Sequence, residues 1–262
     1  MGVAAVAYTA VAATAEPAQP FKLTNIHFET NASACDMGIQ LAFDTDGLTE
    51  GSVLGPQNQV VFSFGSAVGM EGTNDVTEMF QERVEPPIAE LVSALGCEPS
   101  ANAITLNELL AAWPAGAYTF KGRSGAVEFE GGSSLTHKVP AGPKIIAPKG
   151  GAIVPHDAPL LIKWRKVIDP ILPSLGPVKI VGYHALVVDV TVPVLPPGKL
   201  KTSLDADLSA RETSFLVPEQ YLQRNKIYEF EVLATEEGGN QTITEGGVFC
   251  TPPITAAKCK EP

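Results

Sequence analysis

The sequence predicts a mainly β protein made of two β-sandwich modules in tandem, the first with short helical insertions. Three observations lead there. Apolar and polar residues alternate at a period of two in stretches along the whole chain, most clearly Tyr228, Phe230, Val232 and Ala234 against Ile227, Glu229, Glu231 and Leu233. That spacing sends successive side chains to opposite faces of a strand. Twenty-four glycines and 22 prolines are scattered without a period, which suits many short strands joined by turns. At 262 residues and 45% hydrophobic content, the chain is long enough to bury two cores without metal or cofactor support.

Residues 1–15, MGVAAVAYTAVAATA, are small and apolar and end in Ala13-Thr14-Ala15. The small-x-small ending fits cleavage of an export signal before Glu16, although the basic start of a complete signal is missing. The segment is too short to span a bilayer, which takes about 20 apolar residues. Residues 1–20 are therefore read as a signal remnant and a flexible lead. Strands are expected at 21–30, 37–43 and 58–64, with Asp44-Thr45-Asp46-Gly47 as a turn between the second and third.

The pattern then turns helical. Ile88, Leu91, Val92 and Leu95 have helical spacing between Pro87 and Gly96, the boundary residues helices prefer. Thr105-Leu-Asn-Glu108 is a capping box for a second helix with the apolar face Leu106, Leu109, Leu110 and Trp113, stopped by Pro114. A hairpin follows over 116–135, turning at Arg123-Ser124-Gly125. The stiff, proline-bearing stretch 136–143 marks a boundary, giving modules at 21–139 and 140–262.

In the second module, residues 214–217 form a short strand ended by Pro218, Leu222 sits at a corner, and the alternating strand 227–234 closes on a turn at 238–240. Leu222, Tyr228, Phe230, Val232 and Ala234, with Trp164 in 160–167 and Tyr183 in 178–190, resemble the pattern of a fibronectin type III domain over roughly residues 140–252. The resemblance implies an immunoglobulin-like sandwich. It departs from the family in the long Pro-rich stretch 168–177. Over the whole chain, the order of residues 114–120 and 135–143 resembles secreted bacterial proteins that pair a small β module with a fibronectin type III module, and it implies no catalytic residues.

The four cysteines, Cys35, Cys97, Cys250 and Cys259, fit disulfides in an exported protein. Of the three possible pairings, Cys35 with Cys97 inside the first module and Cys250 with Cys259 at the tail is expected. No pair has CxxC spacing, which speaks against a zinc or redox centre.

The net charge of −11, with no basic stripe, argues against nucleic acid or an anionic membrane surface as partner. No nucleophile elbow, phosphate loop, dinucleotide fingerprint or His-Glu-x-x-His is present. Neither enzyme activity nor a cofactor is expected. His156 and Asp157 with His184 are the metal-ligand candidates worth naming, set against a loop and a solvent-facing strand residue. Asp44 and Asp46 start like a calcium loop, but Leu48 and Gly55 stand where ligands are needed. The acidic run Asp75, Glu78, Glu82, Glu85 and Glu90 reads as a solvated face.

Asn31-Ala-Ser33 and Asn240-Gln-Thr242 are glycosylation patterns. No Arg-Gly-Asp occurs, so integrin-type adhesion is not inferred. The expectation is a secreted, periplasmic or extracellular non-enzymatic protein that acts through its β surfaces on a protein or cell-surface partner. Residues 1–15, if retained, are a candidate strand donor for self-assembly. The alternative is a metal or carbohydrate binder, or an unfamiliar hydrolase, with a site at the module junction where His137, Trp113 and Tyr118 meet.

Overall fold

The computed structural model describes residues 16–65, 75–192 and 201–260; the expected signal segment 1–15 lies outside them. The first half contains β1 (Gln19–Pro20), β2 (Leu23–Asn31), β3 (Asp36–Leu48), β4 (Glu50–Leu54), β5 (Val60–Gly65), β6 (Val76–Glu82), α1 (Ala89–Leu95), α2 (Leu106–Ala112), β7 (Gly116–Ser124) and β8 (Val127–Leu135). The second contains β9 (Lys144–Ala147), β10 (Ala152–Ile153), β11 (Leu160–Arg165), β12 (Ile180–Asp189), β13 (Ser203–Ser209), β14 (Ser214–Val217), β15 (Ile227–Glu236) and β16 (Gln241–Cys250). The chain is mainly β, in two sandwiches.

One long sheet runs through both halves in the order β13-β12-β15-β16-β2-β3-β6. Its crossing point is a parallel pairing of β16 with β2, where Gln241, Thr242 and Ile243 lie opposite Glu29, Thr30 and Asn31. Residues paired directly across strands point to the same face. Tyr183, Ala234, Thr242 and Thr30 form such a row, and all four are buried. Both cores therefore lie on the same side of the long sheet.

A five-stranded sheet, β1-β8-β7-β4-β5, covers the first half of that side, and a three-stranded sheet, β14-β11-β9, covers the second. The first core packs Ile26, Phe28, Ile39, Leu41 and Phe43 against Tyr118, Phe120 and Phe129. In the second, Trp164 lies 5.4 Å from Tyr183, beside Tyr228, Phe230 and Phe249. The Tyr228 hydroxyl donates to Tyr221 O at 3.1 Å and accepts from Gln223 N at 2.7 Å, fixing the corner before β15.

Both helices form where local chemistry directs them. Thr105 and Glu108 complete both arms of the capping box on α2, and Gly96 takes the left-handed conformation (φ 80°) that ends α1. Ile88, Leu91, Leu106 and Leu109 are buried in the first core.

Several expectations are corrected. Asp44–Gly47 is no free turn: it lies inside β3, where the register against β6 shifts between Asp44 and Leu48 and Gly47 has φ +133°. Lys22 holds this bulge, with Nζ 2.6 Å from Asp46 and 3.9 Å from Asp44. Glu78 and Glu82 of the acidic run are solvent-exposed, as the solvated-face reading expects, and they lie on strand β6. Asn240 is fully buried. Its amide nitrogen donates to Thr136 O at 3.0 Å and Lys138 O at 2.8 Å, while its Oδ1 accepts from Phe28 N at 2.8 Å. Used as a clasp between halves, it is closed to glycosylation in the folded protein. The long Pro-rich loop sends Ile171 and Leu172 into the first core, tied by Ile171 N to Val139 O at 3.0 Å.

Candidate functional site

Opposite its two cores, the long sheet presents an outer face with a pronounced acidic centre. The β pairing sets its rows: His27 (β2) opposite Gln40 (β3) opposite Glu82 (β6), and Gln241 (β16) opposite Glu29 (β2) opposite Gly38 (β3). Glu85, just beyond β6, folds back over Gly38. A Cβ at Gly38 would lie 2.5 Å from Glu85 Cγ, so only glycine leaves room for that carboxylate.

Glu29, Glu82 and Glu85 each bring an oxygen within 4.8 Å of the others. Two amides steady them. Gln40 Nε2 donates to Glu82 Oε1 at 3.4 Å, and Gln241 Nε2 donates to Glu29 Oε2. No lysine or arginine forms an ion pair with the three among the described residues.

The electrostatics follow from that gap. Burial, then the charges of Asp36, Glu29 and Glu82, push Glu85 up to about 7. Burial also raises Glu29, with Glu82 and Asp36 adding to it against the hydrogen bonds from the two glutamines. Burial raises neighbouring Asp36 as well, and Glu245 adds to it. Burial lowers His27, against a hydrogen bond with Gln40 that works the other way. His27 is 7% exposed, with Gln40 beside its ring, and Glu85 Oε1 is buried without a hydrogen-bond partner.

The residues singled out from sequence fare differently. His184 lies on β12 with Nδ1 2.9 Å from Asp207 Oδ1 on β13. It does not join His156 and Asp157, which stand in the stretch after β10; the Glu29, Glu82 and Glu85 group is the one metal-capable trio among the described residues. His137 Nε2 lies 2.9 Å from Trp113 O and Tyr118 donates to Pro114 O at 3.0 Å. His137 and Trp113 therefore meet directly, while Tyr118 is buried in the first core.

Cys35 is joined to Cys97 and Cys250 to Cys259. Of the acidic trio, Glu82 and Glu85 stand out in sequence only as part of a run. Glu29 carries no local signal, and Gly38 inside an otherwise apolar strand is the hint of a close approach.

No protein-family model matches the sequence, and no curated protein sequence matches it. Among solved structures the chain is similar to the fibronectin(III)-like modules of Clostridium thermocellum CbhA, at 10% identity over 91% of this chain and 92% of that one, with TM-score 0.29. It is also similar to a set of titin domains (14% identity, 87% of this chain, 65% of that one, TM-score 0.26). A third is the FN1-FN3 domains of chicken CNTN1 (9%, 86% and 62%, TM-score 0.30).

In the second half, β14-β11-β9 packs against β13-β12-β15-β16, with Trp164 on Tyr183 and the corner closed by Tyr228. The half of the chain from β9 to β16 folds as a fibronectin type III-like β-sandwich.

Proposed function

We propose that the protein is a non-enzymatic exported scaffold in the cell envelope or an extracellular assembly, with residues 21–139 and 140–262 as its two modules. The observation that carries this reading is the shared sheet. Parallel pairing of β16 with β2 and the Asn240 clasp join both cores into one body, so that one outer face spans the two halves. A rigid, wide, acidic surface suits binding or spacing, and fold alone assigns no chemistry.

The two disulfides suit an oxidising compartment. No helix among the described residues is long and apolar enough to cross a membrane. The partner is a protein or cell-surface component that meets the outer face, or a groove of about 600 Å³ beside β4, β7 and β8 where Glu50, Lys121, Arg123 and Glu130 stand. The edge that a fibronectin type III sandwich leaves open at β16 is filled by the chain's own β2. Assembly by strand addition would therefore use another edge, such as β13 at the end of the long sheet.

Intact mass of protein from its native host, before and after reduction, tests the reading. The expected species lacks residues 1–15 and, with no free cysteine, gains the mass of two reduced disulfides on treatment. A full-length cytosolic species with free thiols overturns export and the scaffold role built on it.

A further inference from the structure

We propose that Thr136 and Asn240 become joined by an ester bond that locks the two halves covalently, with Glu236 as the catalytic base. This is a modification that the folded chain makes on itself. It goes beyond the scaffold reading and does not depend on export.

Side chains from both sides of the seam converge here. Thr136 follows β8, Glu236 ends β15, and Asn240 stands in the turn before β16. The Thr136 hydroxyl donates to Glu236 Oε1 at 3.3 Å and lies 2.9 Å from Asn240 Nδ2, which places it beside the side-chain carbonyl carbon. The oxygen of that carbonyl, Oδ1, accepts from Phe28 N at 2.8 Å. A nucleophile paired with a base, and a carbonyl polarised by a backbone N–H, are the parts that acyl transfer needs.

The site is closed and crowded. Glu236 and Asn240 are fully buried, so bulk water does not compete with the hydroxyl. Glu236 Oε2 is buried with no hydrogen-bond partner among the described residues, where buried polar atoms nearly always have one, and the carboxylate keeps room for a proton. Gly238 permits the approach: a Cβ there would lie 2.6 Å from Glu236 Oε1 and 2.8 Å from Thr136 Oγ1.

The surroundings of Asn240 Nδ2 suit the leaving group better than the amide. Four oxygens face it: Thr136 O at 3.0 Å, Thr136 Oγ1 at 2.9 Å, Lys138 O at 2.8 Å and Glu236 Oε1 at 3.2 Å. An amide nitrogen has only two hydrogens to give them. Once Oγ1 is bonded to carbon, the other three acceptors match the three hydrogens of ammonia.

In the reaction, Glu236 takes the hydroxyl proton as Thr136 Oγ1 bonds to Asn240 Cγ and the carbonyl electron pair moves onto Oδ1. The pair returns, the Cγ–Nδ2 bond breaks, and Glu236 passes its proton to the departing nitrogen. Ammonia leaves, and no oxidant or other co-reactant is consumed.

The test is intact mass of the full folded chain after reduction and alkylation, followed by sequencing of its proteolytic peptides. The expected mass falls below the calculated one by a single ammonia, carried by a peptide in which the segments of Thr136 and Asn240 are joined. T136S is expected to keep the loss, while T136V and E236Q return the mass to its calculated value, with circular dichroism confirming that each variant folds. A wild type at its full calculated mass, an ammonia loss confined to the Asn240 peptide, or a joined peptide that persists in E236Q overturns the proposal. Removal of residues 1–15 changes the mass by a separate and far larger amount, so the scaffold reading fails or stands on its own.

Discussion

Two partly buried carboxylate sites, one in each half, meet the same problem in opposite ways. Near the end of β12, Asp189 lies 2.7 Å from Lys226 Nζ, with side chains 16% and 27% exposed. Its Oδ1 also accepts from Thr191 N at 3.0 Å and Thr191 Oγ1 at 2.5 Å. Burial alone would push Asp189 up, but the bonds from Lys226 and Thr191 outweigh it and hold the carboxyl below its ordinary range. At the seam, burial of Glu29 and Glu85 is reinforced by neighbouring acids, the glutamine hydrogen bonds to Glu29 do not outweigh it, and both carboxyls rise. The first site carries its counter-ion within the chain. Among the described residues, the second has no lysine or arginine in an ion pair with it.

Each site is also backed by a disulfide, and removing these should separate the two halves most strongly. Cys35 adjoins Asp36 and, through Ile88 N to Cys35 O, anchors the segment after Glu85. Its bond with Cys97 spans 62 residues, so C35S/C97S should lower unfolding free energy in urea by about 4 kcal/mol. Cys250 precedes Thr251, whose N–H bonds Lys226 O. Its bond with Cys259 spans 9 residues, and C250S/C259S should cost about 3 kcal/mol. Equal losses would mean that native packing, not loop length, sets the effect.

Breaking the compensated site comes next in size. Lys226→Met strands the Asp189 charge, and because the pair is only mostly buried the expected loss is about 2 kcal/mol at pH 7. The pH dependence should go with it. A depressed carboxyl stabilises the fold above its unfolded value, and that contribution disappears as pH falls through the folded value. In Lys226→Met the acid-dependent part should shrink; an unchanged acid limb in urea melts would assign it elsewhere.

The smallest expected effect has the opposite sign. With Glu85 raised to about 7, the folded state holds its proton more tightly than the unfolded chain. Its ionisation costs stability as pH rises from about 4.5 through 7. In EDTA, Glu85→Gln should therefore stabilise the protein at pH 8, on the order of 1 kcal/mol once its half-exposure is discounted, and make little difference at pH 4. A loss at pH 8 would show that the ionised carboxylate has a partner after all.

How much of this was legible in sequence depended on distance along the chain. The capping box of Thr105 and Glu108, Gly96 as a helix stop, and the Leu222 and Tyr228 corner are local patterns, and each folds as its spacing implies. Strand β4 was missed because Glu50–Leu54 is only five residues long, too short for alternation to stand out. Strand β6 was hidden by its own outer face, where Glu78 and Glu82 swamp the weak inner residues Met79 and Gln81. The seam was beyond reach. Gln241 and Glu29 meet across more than two hundred residues, and nothing in either neighbourhood announces the other. The metal candidates chosen by residue type, His156, Asp157 and His184, did not converge, whereas the trio that did combines a strand interior, a strand end and a loop.

The parallel register of β16 and β2 has a mechanical consequence. Tension on the two flanks of the folded body draws the start of β2 and the end of β16 toward opposite ends of the same short ladder. Parallel neighbours pulled that way are loaded in shear, so the bonds around residues 241–243 and 29–31 must yield together instead of opening one after another like a zip. The halves would then part only after the clasp at Asn240 and this ladder had failed as one unit, which makes the seam the place where a stretched chain holds.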